Sequence, residues 1–91
     1  MAVNILFAKN FLKSYRKRIA ANETLSRRYA ERMRMFINNP NHPLLHDHLL
    51  RGTKKGLRAF SVAGDIRVVY RRPNTDTIEL LDIGSHNQVY R

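Results

Sequence analysis

The apolar residues of this chain change their period part-way along, and that change limits what it can fold into. From Ala8 to Ile37 they recur every three or four residues: Phe11, Tyr15 and Ile19 with Leu12 beside them, then Leu25, Tyr29, Met33, Phe36 and Ile37. Those are the stripes of two helices. After residue 56 the period falls to two. In GDIRVVYRR (64–72), Ile66, Val68 and Tyr70 alternate with Arg67, Val69 and Arg71. Side chains of a strand point to opposite faces in turn, so one face of this strand is apolar and the other carries guanidiniums. Helices first and strands later argue for an α+β fold, with the helices packed on one face of the sheet.

The elements follow in the order β-α-α-β-β-β. Val3 to Phe7 is a short apolar strand. Residues 8–38 read as an αα-hairpin, with Asn22 capping the second helix and Glu23 in its first turn. Asn38-Asn39-Pro40 stops it. Asn41 to Lys55 has no sustained period and reads as a loop. Strands are expected over Leu57–Val62, Ile66–Arg72 and Thr77–Ile83. Ala63-Gly64 and Pro73 to Asp76 are turns, Gly84-Ser85 is a break, and His86 to Arg91 is a short tail or one helical turn. The sheet should be small, twisted and mostly antiparallel. Ile66, Val68 and Tyr70 are assigned to the face under the helices, and Ile78, Leu80 and Asp82 alternate with Glu79, Leu81 and Ile83. The uncovered face is expected to collect Arg67, Arg58 and, at its rim, the loop histidines.

With 91 residues the chain forms a single domain, 1–91. A domain of this size buries roughly 60–65% of its unfolded surface, enough for one two-layer core. It has no cysteine, so neither a disulfide nor a thiolate zinc site supports it. No apolar run approaches the roughly 18 residues a membrane span needs, and the start lacks the pattern of a signal peptide. The expected location is therefore cytoplasmic, with no membrane partner.

Seventeen Lys and Arg face seven Asp and Glu, a formal charge of +10. Such an excess points to a polyanionic partner. Twelve of the seventeen are Arg, which binds phosphate through two parallel hydrogen bonds and stacks on bases. His42, His46 and His48 have the spacing of a loose metal cluster. With only Asp47 as a nearby acid and no cysteine, the set argues against zinc, and no cofactor is expected.

Three stretches carry a resemblance: Leu50-Arg51-Gly52, then Gly64 to Tyr70, then Ile83-Gly84-Ser85-His86 followed by Val89-Tyr90. In that order they resemble the RelE/ParE superfamily of toxins from bacterial type II toxin–antitoxin systems. Asp47-His48-Leu49-Leu50 and Gly84-Ser85-His86 are most similar to its YafQ branch, whose members are ribosome-dependent mRNA endonucleases. The resemblance implies a RelE-like fold and an antitoxin, with an acidic segment, as partner alongside ribosome and mRNA. It implies a catalytic group in which His48, Asp65, His86 and Tyr90 match. Two positions depart from the branch: Ser61 stands for a strand histidine, and Asp82 for an arginine of the last strand, where an acid would repel phosphate. Against the RelE branch, Arg58 and Arg67 fall where basic catalytic residues are expected.

RNA cleavage of this kind needs a base for the ribose 2′-OH proton, an acid for the leaving 5′-oxygen, and cations for the phosphate. Histidine and arginine suit these tasks. The expected acid–base pair is His48 and His86, with Asp65 orienting one imidazole. Arg67 and Arg58 hold the phosphate, and Tyr90 stacks on a base or positions the 2′-OH. Arg51, Lys54, Lys55 and Arg71 are expected to contact RNA. Lys13, Arg16, Lys17, Arg27, Arg28 and Arg34 would make diffuse contacts with ribosomal RNA. A ParE-like inhibitor of DNA gyrase would need no imidazole pair, and a degenerate toxin would only bind its antitoxin.

Overall fold

The structure, a computed structural model, describes residues 3–51 and 56–90. The order is β1 (Asn4–Phe7), α1 (Lys9–Arg18), α2 (Glu23–Asn38), a 3-10 turn (Pro43–Leu45), β2 (His48–Leu49), β3 (Arg58–Ala63), β4 (Ile66–Asn74), β5 (Thr77–Ser85) and α3 (His86–Val89). The strands form one sheet in the order β1-β5-β4-β3-β2. β1 runs parallel to β5, and every other pair is antiparallel. The α+β arrangement with two helices on one sheet face is the one the period change predicts.

The helix pair has identifiable ends. The Asn22 side chain accepts a hydrogen bond from the Leu25 N–H at 3.0 Å, satisfying one of the free donors of α2. α1 has no side-chain cap, but Arg16, Lys17 and Arg18 fill its last turn, where the helix dipole favours cations. Tyr29 of α2 meets Tyr15 and Phe11 of α1 at ring distances of 5.1 and 6.1 Å, which ties the helices together. Phe36 of α2 stacks on Phe60 of β3 at 4.5 Å and meets Tyr70 of β4 edge-on at 4.9 Å. Around these rings lie Ile19, Leu45, Val62, Val68, Ile78, Leu80 and Ile83, forming the main core.

The strands differ from the expected boundaries for physical reasons. β2 has two residues, too few to show a period, and lies inside the segment read as a loop. The hairpin turn is Gly64-Asp65, one residue later than expected, with Gly64 at the positive φ of 53° that such turns require. β4 continues through Pro73. Beyond Tyr70 it pairs, among the described residues, with β5 on one side only, so a residue without an N–H is tolerated there. β5 continues through Gly84-Ser85, which reads as a break in the sequence.

A β-bulge in β5 corrects the predicted alternation. Val69 pairs with Asp82 but Tyr70 pairs with Leu80, so Leu81 is an extra residue. Ile78, Leu80 and Ile83 all join the helix-side core, while Leu81 packs on the opposite face. That second face is also not open across its width. Leu50, Ala59, Val69 and Val89 form a smaller core there, flanked by Leu57, Leu81 and Tyr90. α3 and the residue after it fold back over the sheet to build it.

β1 is too short to cover all of β5, and side chains of α1 serve the carbonyls left over. Asn10 donates to the Leu81 carbonyl at 3.2 Å and Arg18 to the Ile83 carbonyl at 3.0 Å. These bonds satisfy backbone acceptors that a longer edge strand would otherwise take.

Candidate active site

Arg67 is the second residue of β4, opposite Ser61 of β3 and Gly84 of β5. Its Nη1 donates to the Ser61 hydroxyl at 3.3 Å and to the carbonyls of Gly64 at 2.8 Å and Ile66 at 3.2 Å. None of these acceptors is an acid, so these contacts set no carboxylate against the guanidinium. All three contacts use Nη1, which leaves the Nε–Nη2 edge, the edge that grips phosphate oxygens in pairs. Ser61, which stands for a histidine of the related pattern, therefore aims the cation beside it.

α3 brings two further groups to the same face. Ser85 caps it: its hydroxyl accepts from the Gln88 N–H at 3.4 Å, and Gln88 Oε1 accepts from the Ser85 N–H at 2.7 Å. Residue 84, just before the cap, is a buried glycine with two side chains close against it. A Cβ there would stand 2.6 Å from Gln88 Oε1 and 2.7 Å from Arg18 Nη1. The first residue of α3 is His86, exposed, with its ring edge-on to Tyr90 at 4.4 Å and 88°. Tyr90 packs on the second core, close enough to Arg67 for the guanidinium to favour its ionised form. Burial outweighs that pull and pushes the phenol up.

The Tyr90 hydroxyl is buried and has no hydrogen-bond partner among the described residues. Its ring, not its oxygen, is what a substrate can meet, which narrows the two roles expected for it. A buried hydroxyl without a partner costs about 1–3 kcal/mol. Tyr90→Phe should therefore raise the unfolding temperature or leave it unchanged, and hold activity within a few-fold. A loss of both, measured by thermal unfolding and by RNA cleavage, would assign the oxygen a role.

His48 joins from the other side. It is the cross-strand partner of Ala59, whose side chain lies in the second core, so His48 shares the face of Arg67 and Tyr90. Its Nδ1 lies 2.9 Å from the His46 carbonyl. A carbonyl only accepts, so Nδ1 is the donor, and in the neutral form of the ring the lone pair stands on Nε2. His46 makes this possible with a left-handed backbone, φ 48°.

Other expected site residues are placed differently. Arg58 lies on the helix-facing side: it opposes Tyr70 across the strands and donates to Asp47 at 3.2 Å. The alternation that puts Phe60 and Val62 in the main core puts Arg58 with them. Burial lowers its pKa, and Asp47 and Tyr70 together more than restore it. Arg71 is on the open face but faces its cross-strand partner Glu79 at 2.5 Å, so its charge is matched. Asp65 is exposed in the hairpin turn, and its carboxylate makes no hydrogen bond or ion pair among the described residues; the carbonyl of His46 orients an imidazole instead. Arg51 is exposed, and Lys54 and Lys55 lie outside the described residues. His42 turns its Nδ1 to the Leu44 N–H at 3.1 Å. No three His, Cys, Asp or Glu among the described residues are placed to share a metal ion.

Asp82 is not left uncompensated. Its carboxylate pairs with Arg18 of α1 at 3.3 Å and accepts from the Ile83 N–H at 2.8 Å. Sequence reading had no access to Arg18, 64 residues away, or to the role of Ser61. Both depend on long-range register, and a two-residue period carries no sign of it.

The family model for YafQ, a bacterial toxin of type II toxin–antitoxin systems, matches residues 3–91. This chain belongs to the YafQ family. It is thereby the toxin of a toxin–antitoxin pair. No curated protein matches it by sequence. Among solved structures, YafQ from Escherichia coli BL21(DE3) is 21% identical with a TM-score of 0.80, over 98% of this chain and 99% of that one. The same toxin in the E. coli DinJ–YafQ toxin–antitoxin complex is 20% identical at 0.79, over the whole of both chains. A copper-bound variant of a Helicobacter pylori toxin is 26% identical at 0.79, over 96% of this chain and 98% of that one. The fold is thus that of YafQ, and the departures at Ser61 and Asp82 are local to β3 and β5.

Proposed function

We propose that this YafQ-family toxin cleaves mRNA on the ribosome, by attack of a ribose 2′-OH on the adjacent phosphorus. The observation that carries the reading is an acid-free guanidinium, Arg67, on the same sheet face as the imidazoles of His86 and His48, with Tyr90 touching His86. His48 Nε2 takes the 2′ proton. The 2′-oxygen bonds to phosphorus, the bond to the 5′-oxygen breaks, and His86 protonates that oxygen. The products are a 2′,3′-cyclic phosphate and a 5′-hydroxyl. The Nε–Nη2 edge of Arg67 stabilises the charge gathering on the phosphate, and the Tyr90 ring packs against sugar or base. Two imidazoles and one guanidinium cover all three tasks, so the reaction needs no metal.

Lys13, Arg16 and Lys17 of α1 are exposed and would meet ribosomal RNA; binding should fall steeply with salt. The same charge suits an antitoxin with an acidic segment.

Primer extension on a reporter transcript, with and without translation, tests the proposal. Cuts should appear only under translation and end in a cyclic phosphate. Arg67→Ala should weaken them by about 100-fold, whereas Arg71→Ala, which removes a cation already matched by Glu79, should change them by only a few-fold. Intact transcripts with damaged DNA in intoxicated cells would point to gyrase instead.

A further inference from the structure

β2 is a two-residue edge strand, yet it carries one of the two imidazoles. Its ladder consists of His48 opposite Ala59 and Leu49 opposite Arg58. So short a pairing fixes little by itself, and the position of His48 must be set from elsewhere. The residue before it supplies the means. The Asp47 side chain is 11% exposed, and both oxygens are engaged. Oδ1 accepts from Arg58 Nε at 3.2 Å and Oδ2 from the Tyr70 hydroxyl at 2.6 Å. Tyr70 is 1% exposed, in the middle of the sheet beneath Phe36. Burial and the bond to Asp47 both push its phenol up, so it stays a donor at any ordinary pH.

We propose that Asp47 is a positioning residue for His48: it anchors β2 to the core through Tyr70 and Arg58, and so sets where the imidazole stands and which nitrogen is free. Neighbouring residues of a strand point to opposite faces. With Asp47 turned under the helices, His48 is turned onto the open face. The left-handed His46 then directs its carbonyl at His48 Nδ1. The constraint runs from a buried tyrosine, through the Asp47 carboxylate and the backbone of residues 46–48, to the His48 ring. The competing reading is that Asp47 serves only to neutralise Arg58. The proposal rests on the cleavage mechanism above and adds the origin of its base.

Two variants test it. Asp47→Asn keeps the shape, but its amide accepts from one of the two donors and turns an N–H toward the other. Tyr70→Phe removes one anchor and preserves the core volume, and it carries the comparison if Asp47→Asn does not fold. The first readout is independent of activity: nitrogen-15 NMR of the neutral His48 ring. The wild-type toxin should show the Nδ1–H tautomer, and either variant a ring averaging between tautomers, with the amide spectrum otherwise unchanged. The second readout is transcript cleavage under translation, expected to drop about 10- to 100-fold, the scale set by a misplacement of about 1 Å. Asp47→Asn combined with His48→Ala should be no slower than His48→Ala alone, because the first acts through the second.

A fixed Nδ1–H tautomer and wild-type cleavage in both variants would overturn the proposal. So would losses that multiply in the double variant, since that is what general loosening of the fold produces. If His48→Ala itself cleaves at the wild-type rate, the acid–base assignment falls and the positioning role with it. If His48→Ala is inactive and Asp47→Asn is not impaired, only the positioning role falls.

Discussion

His86→Ala lowers transcript cleavage by about 10²–10⁴-fold, the span that a positioned general acid contributes, and leaves the unfolding midpoint where it was. The two halves of that expectation come from the same observation. His86 opens a four-residue helix with its side chain in solvent, and its ring contact is the edge-on one with Tyr90 at 4.4 Å. An exposed side chain with one aromatic contact contributes little to the fold, within about 0.5 kcal/mol for surface positions of this kind. The capping box of Ser85 and Gln88 holds α3 without it. Cleavage measured by primer extension and stability measured by urea unfolding therefore separate. Undiminished cleavage by this variant would end the acid assignment, because no other described imidazole joins that part of the face. His42 is turned to its own loop, and His46 supplies a carbonyl, not a ring.

Phe60→Ala is expected to do the reverse. Phe60 lies on the sheet face opposite Arg67, Val69 and Tyr90, yet its loss should lower toxicity in cells by destabilising the protein. Phe60 is fully buried, stacked on Phe36 at 4.5 Å and beside Tyr70 at 5.9 Å. Removing such a ring costs about 3–5 kcal/mol in lost transfer energy and cavity. A domain of this size has about 5–15 kcal/mol in total, so a third to a half of a mid-range margin goes. The urea midpoint should fall sharply, and the melting temperature by more than about 10 °C. The neighbours cannot readily close the gap, because Phe36 and Tyr70 are themselves held, the first by α2 and the second by its bond to Asp47. A midpoint within about 1 kcal/mol of wild type would mean that the core relaxes around the hole, against the packing described here.

Much of this molecule was legible before its structure. The helix pair, the three long strands, the cap at Asn22 and the assignment of Ile66, Val68 and Tyr70 to the helices came from periods of 3.6 and 2 and from side chains that bond their own neighbourhood. These are local causes, and a sequence states them directly. The face of Arg67 was also within reach through strand alternation, while His48, His86 and Tyr90 were grouped with it by the family pattern alone. The misplacement of Arg58 shows the limit. Alternation correctly grouped it with Phe60 and Val62, but that group could not be assigned to a face until its pairing with β4 was known.

What the chain alone determined, then, is which residues are strands or helices and which side chains travel together along each. Only the folded molecule decided how the strands line up. One bulge at Leu81 moved Ile83 into the main core, the pairing of Ser61 with Arg67 gave a serine its task, and Arg18 reached across 64 residues to hold Asp82. The reason is physical. A side chain's direction along a strand repeats every two residues whatever lies next to it, whereas register is chosen by the packing of the whole sheet, and a shift of one residue exchanges its faces.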